Sequence, residues 1–581
     1  MAIVGFSIST PHIVYALLGS FSVLFSMFSL FLRERLYVSE AIGAFIFGVI
    51  IGASYQLPSL SCFHDSIILP GPYCAGILDP RSWTASSNNL ITLEFTRIVL
   101  ATGVFSIGVE LPEAYMKKHW KSISFLLVPV MIWGWLVSAA LVFSLIPGLH
   151  LSSSLVVAAC LIPTDPVLTV AIVGGKWAEK YVPVYIRHLL AAESACNDGA
   201  AYPFLYLALY FTIDKTMGHA IKDWFLCIWL YQVILGCIIG CLLGFVFRHL
   251  MKFCQRHDLI DRNSYVAQYI SLTMLTVGVT TLLGADDLLA AFFCGTVFAW
   301  DGFFNRQTEE SVFSSVIDTL FNVAAFIYVG AWMPFDKFQD PQQILTVWRL
   351  LAVAILVLLL RRLPIVMILC KFIPDIKTFR EAMFVGHFGP IGIRAVFTSI
   401  LAIMALENAR TSADDASTPQ SLLLEQVVQP IVAFVVLCSI AVHGLSIPGF
   451  SFGRRMQSVS RTWSRRSTVT GAKLLERGNQ ARMVNRMEDV MVNRDSGLEV
   501  MDLEKGNLSI LENDKEIEQI PESISGTTAA GNEHTIEEME GSGLNDEAWV
   551  AGHSTPANNT RFVEGDIVTT APTESPGSAR E

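Results

Sequence analysis

Charged residues are scarce in this chain of 581 residues: Asp, Glu, Lys and Arg make up 16% of it, against roughly 25% in an average soluble domain. With 52% hydrophobic residues, that shortage excludes an ordinary soluble enzyme. A removable signal is missing as well. The start of the chain has neither a basic n-region nor an early cleavage site, so its first apolar run is expected to be a retained span. Nor do the eleven cysteines form a disulfide framework. Most of them (Cys160, Cys196, Cys227, Cys237, Cys241, Cys294, Cys370, Cys438) fall inside apolar segments, where a free thiol behaves as a small hydrophobe. Cys62 and Cys74 share one polar loop; a bridge between them would need that loop to lie outside the cell, and spacing alone leaves both states open.

What the sequence has in quantity is apolar runs. Stretches of about 20 residues, each long enough to cross a hydrocarbon core of about 30 Å as a helix, recur from His12 to Ile447. Bounded by Gly, Pro and charges, they give thirteen expected spans, near 12–32, 38–57, 89–111, 122–147, 151–174, 185–211, 223–248, 265–283, 286–304, 315–335, 344–370, 381–406 and 425–447. The expected fold class is an all-α polytopic membrane protein. Sixteen Lys and Arg residues fall in one alternate set of connections and five in the other. The positive-inside rule then predicts an extracellular N-terminus and a cytoplasmic tail.

The net charge of -11 is unevenly distributed: residues 1–486 carry +5 and residues 487–581 carry -16. This divides the chain into a transmembrane domain (1–450), a basic juxtamembrane segment (451–486) and an acidic tail (487–581). Residues 452–486 hold nine basic residues against the single acid Glu476, which suits contact with anionic lipids or a plain stop-transfer block. The tail is rich in Ser, Gly and Asn and poor in aromatics, a composition that predicts disorder. No nucleic-acid partner is expected.

Ionisable residues at membrane depth are costly and mark ion or proton pathways. The fifth span reads LVVAACLIPTDPVLTVAIV, with Thr164 and Asp165 between Pro163 and Pro166. Each proline lacks an N–H and clashes with the preceding turn, so the helix should break there. Asp165 could then cap the following half-helix, or join freed carbonyls in holding a dehydrated Na⁺ or Li⁺. The sixth span, HLLAAESACNDGAAYPFLYLAL, carries Glu193, Asn197 and Asp198. At 100° per residue Glu193 and Asn197 share a face and Asp198 points about 100° further round, so the two acids need different partners. The twelfth span contains GHFGPIGIRAVF, where Gly386, Gly389, Pro390 and Gly392 should interrupt the helix just before Arg394. If spans 1–6 and 8–13 form inverted repeats linked by span 7, both interruptions fall at the fifth position of a repeat. Crossing broken helices at matching positions are the ion-site architecture of secondary transporters.

PTDP, ESACNDG, RRLP (Arg361 to Pro364) and GHFGPIG, in this order, resemble the monovalent cation/proton antiporter superfamily. With GADDLLAAFFCGTVF around Asp286 and Asp287 they are most similar to fungal plasma-membrane sodium/proton antiporters. The resemblance covers about residues 12–447. It implies exchange of Na⁺, with Li⁺ and K⁺ as further cargo, for H⁺ across the plasma membrane, serving salt tolerance and pH homeostasis, and a homodimer that works by alternating access. It implies no enzymatic step and no cofactor. Asp198 would hold cation and proton alternately, Asn197 would take the place of a second aspartate present in some relatives, and Thr164 and Asp165 would line or support the crossing. Glu193 and Arg394 would form an interhelical ion pair, although this arginine sits in GIRAV where the family has a GLRGA-like context.

Asp286 and Asp287 open an apolar helix, where N-capping is the usual role; the resemblance adds ion access at the outer mouth. His387 is a candidate for gating or pH sensing, or a satisfied interhelical histidine. Arg361 and Arg362 are expected to snorkel to the cytoplasmic interface or to meet lipid headgroups, outside the site. A cation channel would need a carbonyl filter, and no TVGYG-like loop occurs. An intramembrane aspartyl protease would need its acids in another context. A proton-coupled organic-solute carrier is the closest competitor, and the few small polar residues found favour a bare ion.

Overall fold

The structure is a computed structural model that describes residues 10–32, 39–52, 76–82, 85–173, 176–213, 217–308, 313–339, 344–412 and 419–464. Cys62, Cys74, most of the basic segment and the acidic tail lie outside the described residues. Among the described residues the architecture is helical throughout, with no β-strand. The first half comprises α1 (Thr10–Phe31), α2 (Glu40–Ile51), α3 (Ala85–Glu110), α4 (Tyr115–Phe125), α5 (Met131–Leu145), α6 (Leu151–Leu161), α7 (Pro166–Val173), α8 (Lys176–Tyr181), α9 (Val184–Ile213) and α10 (Met217–Asp223). The second comprises α11 (Leu235–Arg256), α12 (Arg262–Leu282), α13 (Asp287–Phe298), α14 (Phe303–Thr308), α15 (Phe313–Trp332) and α16 (Val347–Leu360). It continues with α17 (Leu363–Leu369), α18 (Phe379–His387), α19 (Ile393–Ser412) and α20 (Pro419–Ser464).

Each apolar run in the sequence holds one helix or a pair of them. Among the described residues six helical stretches are long and apolar enough to cross a membrane: Thr10–Ser29, Asn89–Glu110, Tyr115–Leu145, Met217–Arg256, Val347–Leu369 and Pro419–Ser446. Shorter apolar helical stretches are Glu40–Ile51, Leu151–Leu161, Ala267–Leu282, Asp287–Phe298 and Val316–Trp332. α4 runs into α5 through a π segment, Leu126–Val130, that contains Pro129. A residue without an N–H cannot complete the regular ladder, and widening to a π turn absorbs the defect.

Helix packing relies on small residues. At Gly240 of α11, a β-carbon would run into the backbone carbonyl of Ala290 on α13, so only glycine allows the two backbones to come this close. The other side of α11 turns Ile238, Leu242 and Phe245 outward, each at least half exposed, as befits a helix facing lipid. By contrast α6, α9 and α19 are buried along most of their length. The start of α18 is fixed by a capping box in which the Thr378 hydroxyl accepts from the Glu381 N–H and the Glu381 carboxylate accepts from the Thr378 N–H. The other oxygen of Glu381 accepts from the Tyr185 hydroxyl at 2.8 Å, which ties this half-helix to the start of α9.

Candidate cation and proton site

The fifth span is interrupted between α6 and α7, and the twelfth between α18 and α19. Pro163 and Pro166 have no N–H for the helical ladder, Pro166 disfavours helical backbone at Asp165 before it, and Gly389, Pro390 and Gly392 break the partner. The two interruptions meet: the Asp165 N–H donates to the Pro390 carbonyl at 2.8 Å. One carboxylate then serves both emerging helices. Asp165 Oδ1 accepts from the N–H groups of Val167 (2.9 Å) and Leu168 (3.1 Å) at the start of α7, and Oδ2 accepts from the Ile393 N–H at the start of α19. A β-carbon at Gly392 would collide with that Oδ2. The negative charge thus sits where two helix N-termini converge, the favourable end of each dipole.

The opposite ends are held by a cation. Arg361 donates through Nη1 to the carbonyls of Leu161 and Ile162 (3.0 Å to the latter), where α6 ends, and through Nη2 to the Gly389 carbonyl beyond α18. Its neighbour Arg362 donates to the Val385 carbonyl at 2.9 Å and makes a bidentate pair with Glu193, Nη2 to Oε2 at 2.6 Å. This corrects two expectations. Glu193 pairs with Arg362, not Arg394, because Arg362 enters from the α16–α17 break on the side of α9 that carries Glu193. And Arg361 and Arg362 do not snorkel: they are 4% and 5% exposed and are absorbed by carbonyls and a carboxylate released at the crossing. Their place within the apolar run 344–370, eight residues from its end, was the signal that could have found them.

On the Glu193 face of α9, Asn197 and Thr164 make a reciprocal pair. Asn197 Nδ2 donates to Thr164 Oγ1 at 2.7 Å and Asn197 Oδ1 accepts from the Thr164 N–H at 3.2 Å. The Thr164 hydroxyl continues to Ser194 at 2.9 Å, and Ser194 donates to Thr169 at 3.2 Å. A small cavity borders Thr164, Asn197, Glu193, Arg361 and Arg362 and is walled by Val130, Met131 and Gly134.

Asp198 differs from every acid just described. It is fully buried, at 0% exposure, and neither carboxylate oxygen has a hydrogen-bond partner. Among the described residues the cation facing it is Arg394, whose Nε lies 3.7 Å from Oδ1, while Arg394 Nη2 donates instead to the Asp198 backbone carbonyl. The Arg394 guanidinium is held over two rings, 5.2 Å from the Tyr202 centroid and 5.1 Å from that of Phe397. The crossing therefore places a desolvated, unsaturated carboxylate beside a cation whose own donors are only partly used.

A comparison with known proteins fits this geometry. The family described as sodium/hydrogen exchanger, transmembrane, matches residues 23–453. The chain belongs to that family. It is 43% identical over 465 residues to a probable Na(+)/H(+) antiporter of Schizosaccharomyces pombe, covering 79% of this chain and 58% of the relative. It is 42% identical over 466 residues to a Na(+)/H(+) antiporter of Saccharomyces cerevisiae, covering 78% and 45%. A further Na(+)/H(+) antiporter of Schizosaccharomyces pombe is 38% identical over 442 residues, with 76% of this chain and 90% of that one covered. The chain spans about half the length of the first curated relatives it matches. Among solved structures, the sodium proton antiporter MjNhaP1 of Methanocaldococcus jannaschii shares the fold at TM-score 0.53 and 17% identity, over 75% of this chain and 100% of that one.

The remaining family-like positions fall outside the crossing. Asp286 is the N-cap of α13, accepting from the Leu289 N–H at 3.0 Å, and Asp287 accepts from the Leu288 N–H at 3.0 Å. Asp287 also faces Arg97 of α3, Oδ2 to Nε at 3.2 Å. His387 Nε2 pairs with the Ser446 hydroxyl at 3.0 Å. Beside it stands a histidine that the sequence reading passed over: His443 of α20 reaches the His387 carbonyl through Nε2 at 3.0 Å and Ser439 through Nδ1. The Ser439 hydroxyl in turn accepts from the Ile391 N–H at 2.7 Å, so α20 secures the backbone of the second break.

Proposed function

We propose that this protein is a secondary active antiporter that exchanges Na⁺ for H⁺, with Li⁺ and K⁺ as further candidate cargo, by competition at Asp198. The observation that carries this reading is the Asp198 carboxylate, wholly buried with both oxygens free of hydrogen bonds. An uncompensated ion at that depth costs several kcal/mol, about the effective penalty for a buried charge. A proton or a dehydrated alkali cation each removes that penalty, and the carboxylate can be neutralised by only one at a time. If the neutralised site crosses between the two faces while the bare charge does not, cation and proton must move in opposite directions. Arg394 stands near enough to compensate the empty carboxylate in part, and its contact with the backbone rather than the carboxylate leaves the acid available to cargo. Asn197, Thr164 and Asp165 fix the backbone beside it, Glu193 with Arg362 ties α9 to the break, and Asp286 and Asp287 serve ion access.

The same reading places thirteen crossings in a plasma membrane, with the N-terminus outside, the tail inside, and residues 452–486 against anionic lipid. It takes the working unit to be a homodimer that serves alkali-cation export and pH homeostasis. The test is proton movement driven by a Na⁺ gradient in proteoliposomes without organic solute. Wild-type chain is expected to exchange, and Asp198→Asn, folded by size-exclusion and thermal unfolding, to lose exchange. Near-wild-type exchange by that variant would remove Asp198 from the central role. Reversal potentials with each alkali cation then give ion preference and stoichiometry together.

A further inference from the structure

α11 packs along α13 with Gly236 against Asp286, Gly240 against Ala290 and Gly244 against Cys294. Its basic end, Arg248 to Arg256, lies beyond Gly244, so Asp286 and Asp287 sit toward the other face, about 18 Å along the helix from Arg248. Three buried oxygens gather there without a hydrogen-bond donor: Asp286 Oδ2, Asp287 Oδ2 and Gln232 Oε1. The Gln232 backbone carbonyl accepts from the Asp286 N–H at 3.2 Å, which brings these groups together.

Their counter-charge is Arg97, and Arg97 has a choice of acids. Its Nε lies 3.2 Å from buried Asp287, and its Nη1 lies 3.6 Å from Glu94, whose side chain is 49% exposed. Nη1 also donates to the Thr281 hydroxyl at 3.3 Å. The Arg97 guanidinium stands 5.9 Å from the Phe397 ring, the same fully buried ring that carries Arg394 at 5.1 Å. Two arginines therefore share one aromatic neighbour, one of them held by Asp287 and the other facing Asp198.

We propose that Arg97 is a tethered counter-cation that competes with the transported cation for Asp286, Asp287 and Gln232, and so sets the cation affinity on the face away from the basic loops. Hard alkali cations take oxygen ligands, and these three oxygens supply them once Arg97 swings to Glu94. With Arg97 on Asp287, a second positive charge is repelled and the cation is released; with Arg97 on Glu94, it is admitted. Phe397 passes the displacement to Arg394. This deepens the exchange reading and rests on it.

The test measures Na⁺-dependent proton flux by the full-length chain in right-side-out and inside-out plasma-membrane vesicles. Arg97→Gln is expected to lower the KM for Na⁺ about tenfold on the face away from the basic loops and to leave the other KM unchanged, with Arg97→Lys close to wild type. Glu94→Gln, at an exposed position and free of folding risk at the core, should raise the same one-sided KM by removing the alternative acceptor. Equal shifts on both faces, or wild-type KM values in both Arg97→Gln and Glu94→Gln, would overturn the proposal; if Arg97→Gln fails to accumulate, Glu94→Gln decides alone. Should Asp198→Asn retain exchange while Arg97→Gln still shifts one face, the Asp198 assignment fails and the role of Arg97 stands. Loss of exchange in Asp198→Asn with no one-sided shift in either outer variant has the reverse meaning.

Discussion

Arg394 lies 3.7 Å from the Asp198 carboxylate but donates to that residue's backbone carbonyl. The distinction matters because a bidentate arginine would have saturated the acid, as Arg362 saturates Glu193. Two arginine–carboxylate contacts a few residues apart on α9 thus have opposite chemical characters. One is closed and structural, and the other leaves oxygen lone pairs for a guest. The contrast is one of geometry: Glu193 is saturated by Arg362, and both Asp198 oxygens are without a hydrogen bond.

Removing Arg362 should cost stability. Arg362→Ala leaves Glu193 charged and unpaired at 1% exposure, and loss of one partner of a buried pair costs about 3–5 kcal/mol. Thermal unfolding in detergent should show a large drop, and the double variant Glu193→Gln/Arg362→Met should recover most of it. A single variant as stable as wild type would contradict a closed structural pair.

Asp165 caps two helices at once, so its loss should exceed that of a single cap. With one cap worth about 0.5–2 kcal/mol, Asp165→Ala should cost about 1–4 kcal/mol. Asp165→Asn keeps an oxygen for α7 but turns a donor toward the Ile393 N–H, and should fall between. The measurement is again detergent unfolding, and an Asp165→Asn variant as stable as wild type would argue against the second cap.

Gly392→Ala should destabilise by about 1–3 kcal/mol, because its new methyl would meet Asp165 Oδ2 and force the crossing apart. The control is Gly278→Ala in α12, where nothing lies within 4 Å of the added carbon. A helix-interior Gly to Ala change with free space is expected to gain about 0.5–1 kcal/mol. The two variants should therefore move unfolding in opposite directions.

Much of this was readable in one dimension. Prolines around Thr164 and Asp165 and the Gly–Pro run at 389–392 marked both breaks, since these residues act on their own backbone. The offset of about 100° between Asn197 and Asp198 separated the two acids for the same reason, because helical geometry is local. The choice of arginine was not readable. Arg362 and Arg394 both lie within apolar runs, and nothing within either segment says which one Glu193 will meet. His443 and Arg97 were missed on similar grounds: each is one polar residue in an ordinary helical context until a neighbour arrives.

The sequence by itself determined that the chain is helical and apolar, where its helices break, and that Asp165, Glu193, Asp198 and Arg394 fall inside apolar runs, because hydrophobic transfer and backbone sterics depend on residues close in the chain. Tertiary structure alone decided that Asp165 serves two helix ends, that Arg361 and Arg362 are buried, and that Asp198 is left without a hydrogen bond. Those outcomes depend on which oxygens and donors are brought together once water is excluded, and partners more than a hundred residues apart are chosen by packing.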